Sequence, residues 1–70
     1  MPDSVYKVIE IVGTNKESWE KAAAAALERA SKSLRDIRVA EVVAMDVQIE
    51  KGKAHLYRPK LKVSFKFEGA

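Results

Sequence analysis

The sequence predicts an α+β fold with the order β-α-β-β and an antiparallel sheet. Three observations predict it: an apolar strand-like segment closed by Gly13, an alanine-rich segment with apolar residues at three- and four-residue steps, and two long β-branched segments either side of Lys51-Gly52. Seventy residues permit one domain, residues 1–70, and a single core of that size leaves only about 3–5 kcal/mol of stability.

In the first segment, Val5 to Val12, the residues Val5, Ile9 and Ile11 share one parity and Tyr6, Val8 and Val12 the other, so both faces are apolar. One face should meet the helix. The other should meet another subunit, because nothing else in the chain is left to cover it.

Gly13 breaks the strand, and Thr14 followed by Glu17 has capping-box spacing, which predicts a helix beginning near Asn15. Trp19, Ala23, Ala26, Leu27, Ala30 and Leu34 form its apolar stripe, and Glu17 with Lys21 and Glu28 with Lys32 form solvent-side pairs. The alanine run Ala22 to Ala26 reads first as helix propensity.

No glycine, proline or cysteine lies between Gly13 and Gly52, yet the period changes near Asp36-Ile37-Arg38-Val39-Ala40-Glu41. From Arg38 to Glu50, Val39, Val43, Met45, Val47 and Ile49 share one parity, against Ala40, Ala44, Asp46, Gln48 and Glu50. Glu50-Lys51-Gly52-Lys53 is the reversal. A second strand follows from Ala54 to Glu68, with Leu61, Val63, Phe65 and Phe67 inward and Arg58, Lys60, Lys62, Lys66 and Glu68 outward.

Lengths then make a case for self-association. A 13-residue strand spans about 43 Å, whereas a 20-residue helix covers about 30 Å. The projecting parts of the strands are expected to pack on other copies.

With no cysteine a disulfide is excluded, and with one histidine besides, a structural zinc site is not expected. A formal charge of +3 is mild beside the dense basic stripe of a nucleic-acid binder. No apolar run approaches the roughly 20 residues that span a bilayer. The expectation is a soluble cytoplasmic protein with neither nucleic acid nor membrane as partner.

Nucleophilic catalysis needs a nucleophile, a base and an orienting group, and the single histidine, His55, stands just after the reversal with no companion. The reading is a non-enzyme. Asp46, Gln48 and Glu50 present oxygen atoms at two-residue spacing, and Asp46 and Glu50 are the candidate ligands for a hard cation such as calcium if symmetry copies add more. The ordinary reading is a solvated face neutralised across the hairpin by Lys60, Lys62 and Lys66. Trp19 reads as a core anchor. Arg38 and Arg58 are candidate clamps for a carboxylate or phosphate, or partners in interface salt bridges.

Val5-Tyr6-Lys7-Val8-Ile9-Glu10-Ile11-Val12-Gly13-Thr14, the helix with Ala22, Ala23, Ala26, Arg29 and Ala30, the junction Ala40-Glu41-Val42, and Tyr57 with Val63-Ser64-Phe65 together resemble the dodecin family. The resemblance covers nearly the whole chain. It implies a three-stranded antiparallel sheet partly wrapping one helix, and a hollow homododecamer. It also implies a small-molecule ligand held between subunits, in typical members a flavin such as riboflavin or FMN, in some a coenzyme A.

The resemblance fails at the positions that hold the flavin. Val39 stands where those proteins place a tryptophan that stacks on the isoalloxazine ring, and Arg58 where they place a glutamine that bonds its polar edge. Arg38, Val39 and Arg58 therefore mark an altered pocket. Flavin binding is expected to be weak or lost, with a cation, an anion or coenzyme A as the ligand in its place. The alternatives are a flavin-sequestering protein with weakened stacking and a purely structural assembly.

Overall fold

The computed structural model describes residues 4–67. Strand β1 (Tyr6–Val12) leads to helix α1 (Trp19–Ser31), followed by β2 (Ile37–Glu50) and β3 (Lys53–Lys66). The strands form one antiparallel sheet in the order β1-β3-β2, so the last strand lies at the centre. No helix among the described residues is long and apolar enough to cross a membrane.

The helix starts later than the capping-box spacing predicts. Asn15 is held in an extended bridge to Tyr57, donating to its carbonyl at 3.1 Å and accepting from its N–H at 2.8 Å. Residues committed to that bridge cannot join a helix. The Asn15 side chain instead accepts from the N–H groups of Glu17 and Ser18, and Ser18 becomes the cap, its Oγ accepting from Lys21 at 3.0 Å. Of the two predicted ion pairs, Glu17 and Lys21 meet at 2.8 Å on the surface, which contributes at most about 0.5 kcal/mol. Helix α1 ends at Ser31, so Leu34 lies beyond it.

Gly13 and Pro59 show how closely the layers approach. A Cβ at Gly13 would stand 2.5 Å from the backbone oxygen of Ala22 and 3.1 Å from the Cβ of Ala26. Only glycine lets the helix settle there. Pro59 lies in the central strand, where a missing N–H would normally break a ladder bond. Its carbonyl accepts from Gly13 at 3.1 Å, so its nitrogen faces the same side, at the point where β1 has already ended.

The two long strands turn through Lys51 (φ 53°) and Gly52 (φ 76°). Two successive positive φ values make a type I′ turn, whose twist matches that of the hairpin. The pairing then shifts between Ile37 and Val39, between Val42 and Ala44, and between Gln48 and Ile49. The first two, whose extra residues are Arg38 and Val43, overturn the single alternation expected along β2, because an extra residue flips which face the following side chains occupy, whereas the third places its extra residue, His55, on β3. Val39 lies opposite Ser64, Val42 opposite Leu61 and Met45 opposite Pro59. Val39 therefore falls on the face away from the helix, and Met45 on the helix side. The expected strand end at Glu68 lies outside the described residues.

The core is small. Ala22, Leu61 and Val63 are its fully buried apolar residues among those described, with Pro59 beside them. Helix α1 covers about 20 Å, against about 46 Å for each 14-residue strand, in a chain 55 Å long and 20 Å wide. The far half of the hairpin has no cover among the described residues, and Ile49 is 69% exposed.

Candidate functional site

The face of the sheet away from the helix carries an open depression of about 540 Å³, lined chiefly by Val8, Glu10, Val39, Glu41, Lys62 and Ser64. The register explains its charge: Lys62 on the central strand lies between Glu10 on β1 and Glu41 on β2. Val39 forms its apolar wall and is 61% exposed, while its carbonyl accepts from the Ser64 hydroxyl at 3.3 Å. Arg38 sits at the adjacent bulge, exposed and without an ion pair among the described residues.

Arg58 lies further along β3, directly opposite Asp46, and its Nε stands 3.0 Å from the Asp46 carboxylate. Both side chains remain partly exposed, at 42% and 65%. The Nε is itself buried and lacks an aligned hydrogen bond, so the pair is one of charge proximity rather than a well-formed fork. A shallow depression of about 220 Å³ opens here, lined by Asp46, Val47, Gln48 and Arg58.

The main chain at this point is anchored from the helix. The Trp19 indole N–H donates to the Asp46 carbonyl at 3.1 Å, and its ring meets Tyr57 edge to face at 4.9 Å and 73°. Tyr57 in turn is bridged to Asn15. The first turn of the helix, the cap segment and both long strands thus converge on one spot. Trp19 packs as an anchor, and its polar end has a specific partner.

Two residues read separately from the sequence, Asp46 as a cation ligand and Arg58 as a pocket residue, are therefore brought together. Within the chain Arg38 and Arg58 are not: they stand apart, on different strands and at different heights of the sheet. Nor do the lysines neutralise the acids as expected: the two-residue turn sets a register in which Lys60 meets Ala44 and Val12, Lys62 meets Glu41 and Glu10, and Lys66 meets Tyr6. Arg58 fills that role for Asp46, and His55, 3.4 Å from Glu50, stands beside the other acid. The Trp19 hydrogen bond had no signal in the sequence, because it depends on a backbone carbonyl.

Calcium takes about six to eight oxygen ligands. Asp46, Gln48 and Glu50 supply donors of the right hardness, but Asp46 and Glu50 are four residues apart on one strand, about 13 Å. The described residues include no group of three acidic or histidine side chains that could hold an ion. The donors are hard oxygens but too few among the described residues to hold an ion by themselves, and the charge of Arg58 opposes a cation beside Asp46.

Residues 5–68 match the family model described as Dodecin. A calcium dodecin of Mycobacterium tuberculosis is 52% identical over 67 residues, covering 96% of this chain and 94% of that protein. A Thermus thermophilus dodecin is 41% identical, with 91% and 93% covered. Among solved structures, dodecin from Streptomyces coelicolor superposes with a TM-score of 0.92 at 34% identity over the full length of both chains. The solved M. tuberculosis protein, described as calcium chelating and as having a novel calcium-binding site, gives 0.84 at 51% identity with 96% of each chain covered.

Proposed function

The chain belongs to the dodecin family, and on that premise we propose that it is a non-enzymatic homododecameric binding or storage protein whose ligand is a cation rather than a flavin. The observation that carries this reading is the pair of side chains at the altered pocket positions. Val39 offers a small aliphatic wall where the family's flavin binders place a stacking tryptophan, and loss of an aromatic platform costs about 1–3 kcal/mol per stacked ring in comparable systems. Arg58, where those proteins carry a glutamine, is occupied with Asp46 at 3.0 Å.

The cation is calcium. Asp46 and Glu50 are the carboxylates offered to it, each completed by oxygens from neighbouring subunits or water. The relative named a calcium dodecin, 52% identical over nearly the whole chain, supports this choice. Assembly is supported independently by the small core and the uncovered hairpin.

The test is a native mass spectrum of purified protein followed by two titrations. A mass near twelve subunits, heat on calcium addition and little riboflavin quenching at micromolar concentration are expected. A monomer or dimer overturns the assembly. Stoichiometric riboflavin quenching returns the protein to the flavin-sequestering class, and absence of both ligands leaves a purely structural assembly.

A further inference from the structure

Asp46 cannot attract a cation at full strength while Arg58 stands 3.0 Å away, because the two charges cancel at close range. We propose that Arg58 is a built-in competitor for the cation at Asp46, so that divalent cations and oxyanions bind this face cooperatively. This rests on the reading of Asp46 as a cation ligand. A cation that takes the carboxylate releases the guanidinium, and an anion that takes the guanidinium frees the carboxylate.

Three features of the site suit an exchange of partners. The pair is partly exposed on both sides, so either group can reach solvent ligands without opening the fold. The Arg58 Nε is buried without an aligned hydrogen bond, so the guanidinium gives up little when it leaves Asp46 and gains a planar, bidentate partner in an oxyanion. The main chain of Asp46 is fixed by the Trp19 indole at 3.1 Å, so the exchange swings side chains and leaves the strand in place. Gln48 lines the same depression and presents an amide to whichever ion arrives.

No lysine substitutes for Arg58, since the nearest on its strand, Lys60, is paired in register with Ala44 and Val12. Coupling is reciprocal: the factor by which an anion tightens cation binding is the factor by which the cation tightens anion binding. A partly exposed ion pair is worth little, so the effect is a few-fold, up to about fivefold.

The test titrates calcium into the assembled wild-type protein and into Arg58→Gln, followed by calorimetry and by the fluorescence of Trp19, the single tryptophan. Each is done in sodium sulfate and in sodium chloride of equal ionic strength. Sulfate should tighten calcium binding a few-fold in wild type and not in Arg58→Gln, and Arg58→Gln should bind calcium more tightly than wild type in chloride. Equal affinity in the four conditions overturns the proposal. Calcium binding unchanged by Asp46→Asn overturns it while leaving calcium as the ligand, whereas a wild type and an Arg58→Gln that both ignore calcium overturn the cation reading itself. The sulfate comparison on wild type alone decides the matter should Arg58→Gln fail to assemble.

Discussion

The indole N–H of Trp19 donates to the backbone carbonyl of Asp46 at 3.1 Å, fastening the first turn of α1 to the middle of β2 across 27 residues of sequence. Because the acceptor is main chain, the contact fixes the height of the strand independently of which side chain stands at position 46. Replacing Trp19 by Phe keeps a ring against Tyr57 and removes only the donor. The variant should lose about 0.5–1.5 kcal/mol, the net worth of one hydrogen bond, measured by urea unfolding of the assembled protein. A loss above about 3 kcal/mol, the range for deleting a large core side chain, would show that the ring and not the bond is what matters.

Gly13→Ala tests the close approach of the helix to the end of β1. The new methyl group would stand 2.5 Å from the Ala22 carbonyl oxygen, which is backbone and cannot rotate away. Displacing the helix over the well-buried patch of Ala22, Leu61 and Val63 should cost about 1–3 kcal/mol, as overpacking does. Thermal unfolding of Gly13→Ala against wild type reads this directly, and an unchanged midpoint would mean that the helix has room to shift.

The element order, the reversal at Lys51-Gly52 and the apolar second face of β1 were all legible from residue pattern, because each depends on local chemistry or strict periodicity. The helix start was not, since Asn15 is claimed by a bridge to Tyr57, a partner 42 positions away in the chain. Nor was the facing of the first part of β2, where Val39 turns outward and Ala40 and Val42 face the helix, whereas Met45 and Val47 fall on the apolar side as their parity predicts; a bulge leaves no mark in a sequence without glycine. At the helix-to-strand junction the only punctuation is Asp36, at φ 54°. Aspartate tolerates that left-handed conformation better than most residues, yet its presence does not announce it. The candidate site was half legible: Arg58 and Asp46 stood out singly, and only the register of the hairpin joins them.

The hairpin turn offers a gain in stability. Lys51 occupies a left-handed conformation at φ 53° that asparagine adopts more readily, and Asn-Gly is the favoured pair for a type I′ turn. Lys51→Asn should stabilise the protein by about 0.5–1 kcal/mol, within the range that turn optimisation yields. Chemical denaturation midpoints check it, and a decrease would show that the lysine makes a contact in the assembly that outweighs its backbone strain.

Val39→Trp combined with Arg58→Gln should create flavin binding. The tryptophan would project from the outer face of β2 over the depression that Val8 and Ser64 also line, and the glutamine would free a neutral hydrogen-bonding edge where the Asp46 ion pair now stands. A single stacking ring contributes about 1–3 kcal/mol, so the double variant should bind riboflavin roughly 5- to 150-fold more tightly than wild type. Quenching of riboflavin fluorescence on titration with apo-protein measures this. Val39→Trp alone should give most of the gain, because stacking does not need the polar edge. If neither variant quenches more than wild type, Val39 does not occupy the stacking position and the altered-pocket reading falls with it.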